Sequence, residues 1–140
     1  KGTTYEGGMR VPMITCWPGH IPAGTRNAHV ASTMDLLPTI AGITGAALPK
    51  DRILDGSDIL PLLSGTAESP HEYFYYFRGD QLEAVRHGVW KLRKEGASAE
   101  TELFHMENDP RELYNVADAH PDIVEALMER MKNFQEEVRN

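Results

Sequence analysis

Residues 1–19 read KGTTYEGGMRVPMITCWPG. A lone lysine opens the stretch, Gly7-Gly8 breaks it, and a short apolar run, Met13-Ile14-Thr15-Cys16-Trp17, ends at Pro18-Gly19. An apolar run of that length between Pro and Gly reads as a buried strand rather than a helix. The paired glycines ahead of it allow positive φ or close approach of the backbone to another group. Lys1 is therefore expected in a loop just before a strand, where functional side chains held by a scaffold tend to be found. By residue type alone, Lys1 reads as a solvated surface lysine.

The rest of the composition bounds the answer. At 140 residues the chain makes one ordinary domain or parts of two. Its 41% hydrophobic and 25% charged residues are globular values. A formal net charge of -7 argues against a nucleic-acid partner and gives no support for an anionic membrane surface. No apolar segment approaches the ~20 residues that span a bilayer. A single cysteine excludes an internal disulfide framework. There is no initiator methionine and no signal-like start, an absence that carries little meaning because residue 1 reads as the middle of a longer protein.

Outward from the WPG turn, residues 20–29 form a polar loop. Helical periodicity begins near Ser32, an N-cap with Asp35 three residues on. Met34, Leu37, Ile40, Ala41 and Ile43 make its apolar stripe, and Gly42 and Gly45 close it. Pro38 belongs in a first turn or at a kink. Residues 48–58 read as a surface connection, followed by a short helix or turn at 59–63. Residues 66–71 are small and polar and mark a boundary, giving units of 1–65 and 66–140.

Beyond that boundary the period changes to two. Tyr73-Phe74-Tyr75-Tyr76-Phe77 has strand composition. Residues 82–94 read as a hairpin turning at His87-Gly88, which sets Val85 opposite Trp90 and Glu83 opposite Leu92. Another strand is expected around Leu103-Phe104, then a turn at Asn108-Asp109-Pro110. Asp118 and Pro121 announce the last helix. Its stripe is Ile123, Leu127, Met131, Phe134 and Val138, widened by Val124 and Met128. A helix over a few antiparallel strands is a minimal two-layer unit.

Together, K-x3-YEGG-x-R-x-P, WPGHI, STMDLLPTIAGITG and LDGSDILPLLSG resemble the C-terminal third of the sulfatases, most closely the arylsulfatase type. The resemblance runs through nearly the whole chain. It implies an α+β fragment of an α/β alkaline-phosphatase-like enzyme: residues 1–65 end the catalytic domain, and 66–140 form a small antiparallel sheet packed by a C-terminal helix. It also implies a sulfuric ester hydrolase using a formylglycine nucleophile and a divalent cation, calcium being the expected ion. The nucleophile motif, C-x-P-S-R, and most metal-binding acids lie upstream in such enzymes, so this chain alone is expected to bind no metal and to be inactive. Lys1 matches the lysine that contacts the sulfate group, a role that suits a compact ammonium charge. Glu6 and Arg10 match positions that buttress the loop as a charge pair behind the site, and Tyr5 packs.

Other chemistry-bearing residues have plainer readings. Cys16-Trp17-Pro18-Gly19-His20 superficially echoes the nucleophile motif but lacks its serine and arginine, so Cys16 reads as a small residue of the buried strand. His20, His29, His71, His87, His105 and His120 are scattered without metal-ligand spacing. Asp51, Asp55 and Asp58 lack an EF-hand pattern and read as turn and cap residues. Expected partners are a sulfate ester and the remainder of the catalytic domain or another copy of this chain, in an exported compartment (periplasmic, extracellular or lysosomal). The rival readings are a phosphate or phosphonate ester hydrolase of the same superfamily and a non-catalytic module packing on a catalytic chain.

Overall fold

A computed structural model describes residues 2–96 and 98–139. In chain order the elements are α1 (Glu6–Met9), α2 (Leu36–Thr44), α3 (Leu60–Leu63), β1 (Tyr73–Arg78), β2 (Gln81–His87), β3 (Trp90–Arg93), β4 (Glu102–His105) and α4 (Pro121–Arg139). They fall into two compact units, Lys1–Val11 with Tyr73–Asn140 and Pro12–Glu72. The opening residues thus cluster with the C-terminal part and not with the segment that follows them.

In the first unit, the strands form one antiparallel sheet in the order β1-β2-β3-β4. One face lies under α4. Leu82, Val85, Leu92 and Leu103 pack there with Leu127 and Met131, and Ile123, Val124, Met128 and Phe134 flank them. Phe134 stacks on Tyr75 with ring centroids 3.6 Å apart. Val138, the last residue of the expected stripe, is exposed. The hairpin register differs from the sequence reading: Val85 faces Leu92 and His87 faces Trp90, because the turn is Gly88-Val89. Gly88 takes the positive φ (55°) at the first turn position, where a glycine meets no Cβ penalty.

A bulge organises the other face. Tyr76 pairs with Ala84 and Phe77 with Leu82, leaving Glu83 as an extra residue in β2. In an unbroken strand Glu83 would share the face of Val85 and lie beneath the apolar helix. Two bulged residues oppose one on the partner strand, so the alternation is broken there. Leu82 and Val85 then share the apolar face, and Glu83 turns to the charged one.

The second unit is arranged around Asp35. Ser32 and Asp35 form the expected capping box: the Ser32 hydroxyl accepts the Met34 N–H and the Asp35 carboxylate accepts the Ser32 N–H at 2.7 Å. Asp35 is fully buried, also accepts the Ser57 N–H at 2.8 Å, and lies 2.9 Å from His71 Nε2. Thr39 donates to the Asp35 carbonyl and accepts the Ile59 N–H. One carboxylate and one hydroxyl therefore join residues 32, 57, 59 and 71. Gly56 is required at its position, because a Cβ there would stand 2.1 Å from the Met34 carbonyl oxygen. Pro38 falls in the first turn of α2, and Gly45 ends the helix in the left-handed conformation.

Two expectations for this unit fail. Residues 13–17 form no strand, Ile14 is 95% exposed and Cys16 is exposed. A strand exists through pairing, and among the described residues this run has no neighbour to pair with. The apolar stripe of α2 is likewise uncovered except at Ala41: Met34, Leu37, Ile40 and Ile43 are exposed, Leu37 and Ile40 at 55% each, whereas Ala41 is buried with Pro38 and Thr39. The hydrogen bonds of Asp35 and Thr39 select the inward face, and the large residues of the stripe are left outside.

Candidate functional site

The TTYEGG segment lies on the charged face of the sheet. Alternation along β3 sends Leu92 under the helix and Lys91 and Arg93 to the opposite side. Across the strands Lys91 stands beside Phe104, and Arg93 beside Ala84 and Glu102. Thr4, Glu6, Glu83, Lys91 and Arg93 are all buried.

Each residue of the segment from Thr4 to Glu6 has a directional tie. The Thr4 hydroxyl donates to Glu83 at 3.0 Å and accepts from Arg93 Nε at 3.1 Å. The Tyr5 hydroxyl donates to Glu102 at 2.7 Å and accepts from Arg93 Nη1 at 3.0 Å. The Arg93 guanidinium also lies 3.9 Å from the Tyr5 ring centroid, a cation–π contact, and pairs with Glu102 at 2.7 Å. Burial, with the bond and charge of Glu102, pushes the Tyr5 phenol up to about 12. Burial works against the Arg93 charge, but its bonds to Glu102 and Glu95 more than offset this and leave its pKa raised.

Glu6 is held most firmly. Its Oε1 accepts from Lys91 Nζ at 2.9 Å, and Lys91 pairs on its other side with Glu112 at 2.8 Å. Lys91 is completely buried, and the Glu112 side chain is only 2% exposed. Lys91 Nζ also sits 4.4 Å from the Tyr76 ring centroid. Glu112 accepts the Glu6 N–H as well, so Glu6 is bonded at both backbone and carboxylate. Among the described residues, Glu112 alone of the non-glycines has positive φ, 56°. Such a conformation costs on the order of 1–3 kcal/mol and persists where surrounding bonds over-determine it. From Glu6 the chain makes the single turn of α1. Gly8 is obligatory there, since a Cβ would meet the Thr3 carbonyl oxygen at 2.2 Å.

Of the residues singled out in the sequence, Lys1 lies outside the described residues. Glu6 and Arg10 approach to 3.9 Å, four residues apart, but Arg10 is half exposed and the short contact of Glu6 is with Lys91. Tyr5 packs edge-on against Phe104. His20 is exposed and stacks on Trp17 at 3.9 Å. Asp58 accepts the Leu60 N–H, and Asp51 pairs with Arg52. Lys91, Arg93 and Glu83 are not singled out by the sequence, because a charged residue on a strand reads as part of a solvated face, and Glu112 lies in the connection after β4 with no local signal. Among the described residues no three His, Cys, Asp or Glu side chains gather as a metal centre requires. The divalent cation implied by the resemblance has no ligand set among them.

The family model for the C-terminal part of N-sulphoglucosamine sulphohydrolase matches residues 1–137. Human arylsulfatase A is 39% identical over 91% of this chain and 31% of its own length. The dog N-acetylgalactosamine-6-sulfatase is 48% identical over 65% of this chain and 17% of its own. A solved structure from work on the metabolism of multiple glycosaminoglycans by Bacteroides thetaiotaomicron superimposes with a TM-score of 0.78. It is 26% identical and covers 97% of this chain and 31% of that one. The chain thus spans about a third or less of these relatives. A C-terminal match along almost the whole sequence, on a four-stranded antiparallel sheet backed by a C-terminal helix, establishes that this chain belongs to the sulfatase family.

Proposed function

We propose that the chain is the C-terminal part of a sulfuric ester hydrolase of the arylsulfatase type. The observation that carries the reading is the segment KGTTYEGG: it lies within the family match, and its residues 4–6 are bonded side chain by side chain onto a buried charged face. In the complete enzyme, residues 1–65 would complete the catalytic domain and 66–140 form the small subdomain. A formylglycine nucleophile and a divalent cation, calcium, would be supplied from elsewhere in that enzyme.

What this chain contributes is electrostatic. In this reading Lys1 would act as a fixed ammonium beside the sulfate and its departing oxygen, stabilising negative charge that grows in the transition state. Glu6 and Arg10 stand behind it. The uncovered apolar residues of the second unit, Met13, Ile14, Leu37, Ile40 and Ile43, supply the surface on which the remainder of the catalytic domain would pack. No helix among the described residues is long and apolar enough to cross a membrane, and the family suggests an exported enzyme. The names of the relatives favour sulfate over phosphate esters.

Steady-state kinetics of the complete enzyme test the reading. An aryl sulfate should be hydrolysed in preference to the matching phosphate. Lys1→Ala should lower kcat by about 10²–10³-fold with the unfolding midpoint unchanged. Near-wild-type turnover in Lys1→Ala would remove the lysine from the mechanism, and faster phosphate than sulfate turnover would remove the sulfatase assignment.

A further inference from the structure

The charged face is an inefficient way to gain stability. Lys91 is fully buried between Glu6 at 2.9 Å and Glu112 at 2.8 Å, so the trio carries a net negative charge away from water. Well-packed apolar side chains of similar volume often serve stability as well or better. What ions and hydrogen bonds supply instead is direction. The ammonium fixes the Glu6 carboxylate, the Glu112 carboxylate takes the Glu6 N–H, and Glu112 is itself held at φ 56°. Thr4 and Tyr5 are fixed by Glu83, Arg93 and Glu102, and Gly8 fits only because it lacks a Cβ. An apolar contact would tolerate sliding of this segment along the sheet, whereas these bonds define one register.

We propose that Lys91 is a positioning residue for sulfate-ester hydrolysis. Acting through Glu6, with Glu112 as the second anchor, it fixes residues 4–8 and so the placement of Lys1 against the sulfate. The inference rests on the proposed role of Lys1, and its test separates the two. In that role the face behind the active-site loop belongs to the C-terminal sheet, 85 residues away in sequence from the glutamate it holds.

The test is steady-state hydrolysis of 4-nitrophenyl sulfate by the complete enzyme carrying Lys1→Ala, Glu6→Gln, Lys91→Met, Lys91→Arg and the double variant Lys1→Ala/Glu6→Gln. Displacing the loop by about 1 Å should lower kcat by about 10–10²-fold with KM changed little in Glu6→Gln and Lys91→Met. Lys91→Arg should recover part of the loss. Glu6→Gln keeps Lys91 paired with Glu112, so it decides the matter if Lys91→Met does not fold. If Glu6 acts through Lys1, the double variant should turn over no more slowly than Lys1→Ala alone. Losses that multiply in the double variant would overturn the inference. So would an unchanged kcat in Glu6→Gln beside a depressed Lys1→Ala. An unchanged Lys1→Ala would instead sink the lysine reading, and the positioning role with it.

Discussion

Beneath α4 the sheet presents Leu82, Val85, Leu92 and Leu103. On its other side it presents Glu83, Lys91 and Arg93, and both sets are buried. The helix side is held by area removed from water, which is non-directional and tolerates small shifts. The charged side is held by bonds that fail if the groups move by an ångström. One sheet thus separates two tasks: α4 gives it stability, and the segment from Thr4 to Glu6 receives a fixed location. The bulge at Glu83 makes the separation possible, since it keeps a carboxylate from beneath the helix.

The sharpest way to break this contrast is to remove the central cation. Lys91→Ala leaves Glu6 and Glu112 buried without their counter-ion and should destabilise the complete enzyme by about 3–5 kcal/mol. A urea melt of that variant at the wild-type midpoint would show that the cluster carries no structural weight. On the opposite face, Leu127→Ala truncates a side chain 4% exposed and should cost about 2–5 kcal/mol. Its kcat should stay near wild type at temperatures where the protein is folded, because residues 4–6 are bonded from the opposite face of the sheet. A kcat loss matching that of Lys91→Met would erase the distinction between the faces.

Tyr5→Phe is a smaller perturbation. It removes a hydroxyl that bonds Glu102 and Arg93, while that ion pair remains, and should cost about 0.5–1.5 kcal/mol near neutral pH. The folded state holds the Tyr5 proton more tightly than the unfolded chain, with the phenol pushed up to about 12 from 10.0. Its contribution is therefore fully present below pH 10 and lost as pH rises toward about 12. Midpoints measured across that window should fall less steeply in Tyr5→Phe than in wild type, and equal slopes would discount the linkage. Smallest of all, exposed Glu129→Ala on the outer side of α4 should stay within about ±0.5 kcal/mol.

These two faces were unequally legible in the sequence. The repeat of Ile123, Leu127, Met131 and Phe134 announces α4 because a helix writes its buried side into residues three and four apart. The aromatic run at 73–77 announces β1 for a similar reason. The sequence sets the hairpin turn one residue early, because either His87-Gly88 or Gly88-Val89 can span it and only the pairing of His87 with Trp90 chooses. Lys91 and Arg93 fit the period of a strand but give no sign that their side is covered. Their partners are 85 and 89 residues away, and no local pattern joins them. The signal that could have been weighed is Glu6 itself: a carboxylate in a glycine-flanked turn needs a cation, and Arg10 is only the nearest in sequence. In the second unit the apolar run at 13–17 and the stripe of α2 read as buried from the sequence alone. A hydrophobic pattern records that a face is covered, and not by which part of the protein.

The central claim is that the charged face, and not the helix face, holds the loop of the proposed sulfate-binding lysine. Amide hydrogen exchange of residues 4–10 in the complete enzyme tests it most directly, with wild type compared against Glu112→Gln and Leu127→Ala. Glu112→Gln weakens the acceptor of the Glu6 N–H and the second partner of Lys91. Exchange in residues 4–10 should therefore quicken at least about tenfold, while α4 keeps its protection. Leu127→Ala should do the reverse, quickening α4 and leaving residues 4–10 slow. Equal exchange of residues 4–10 in Glu112→Gln and wild type, or quicker exchange there in Leu127→Ala alone, would contradict the account.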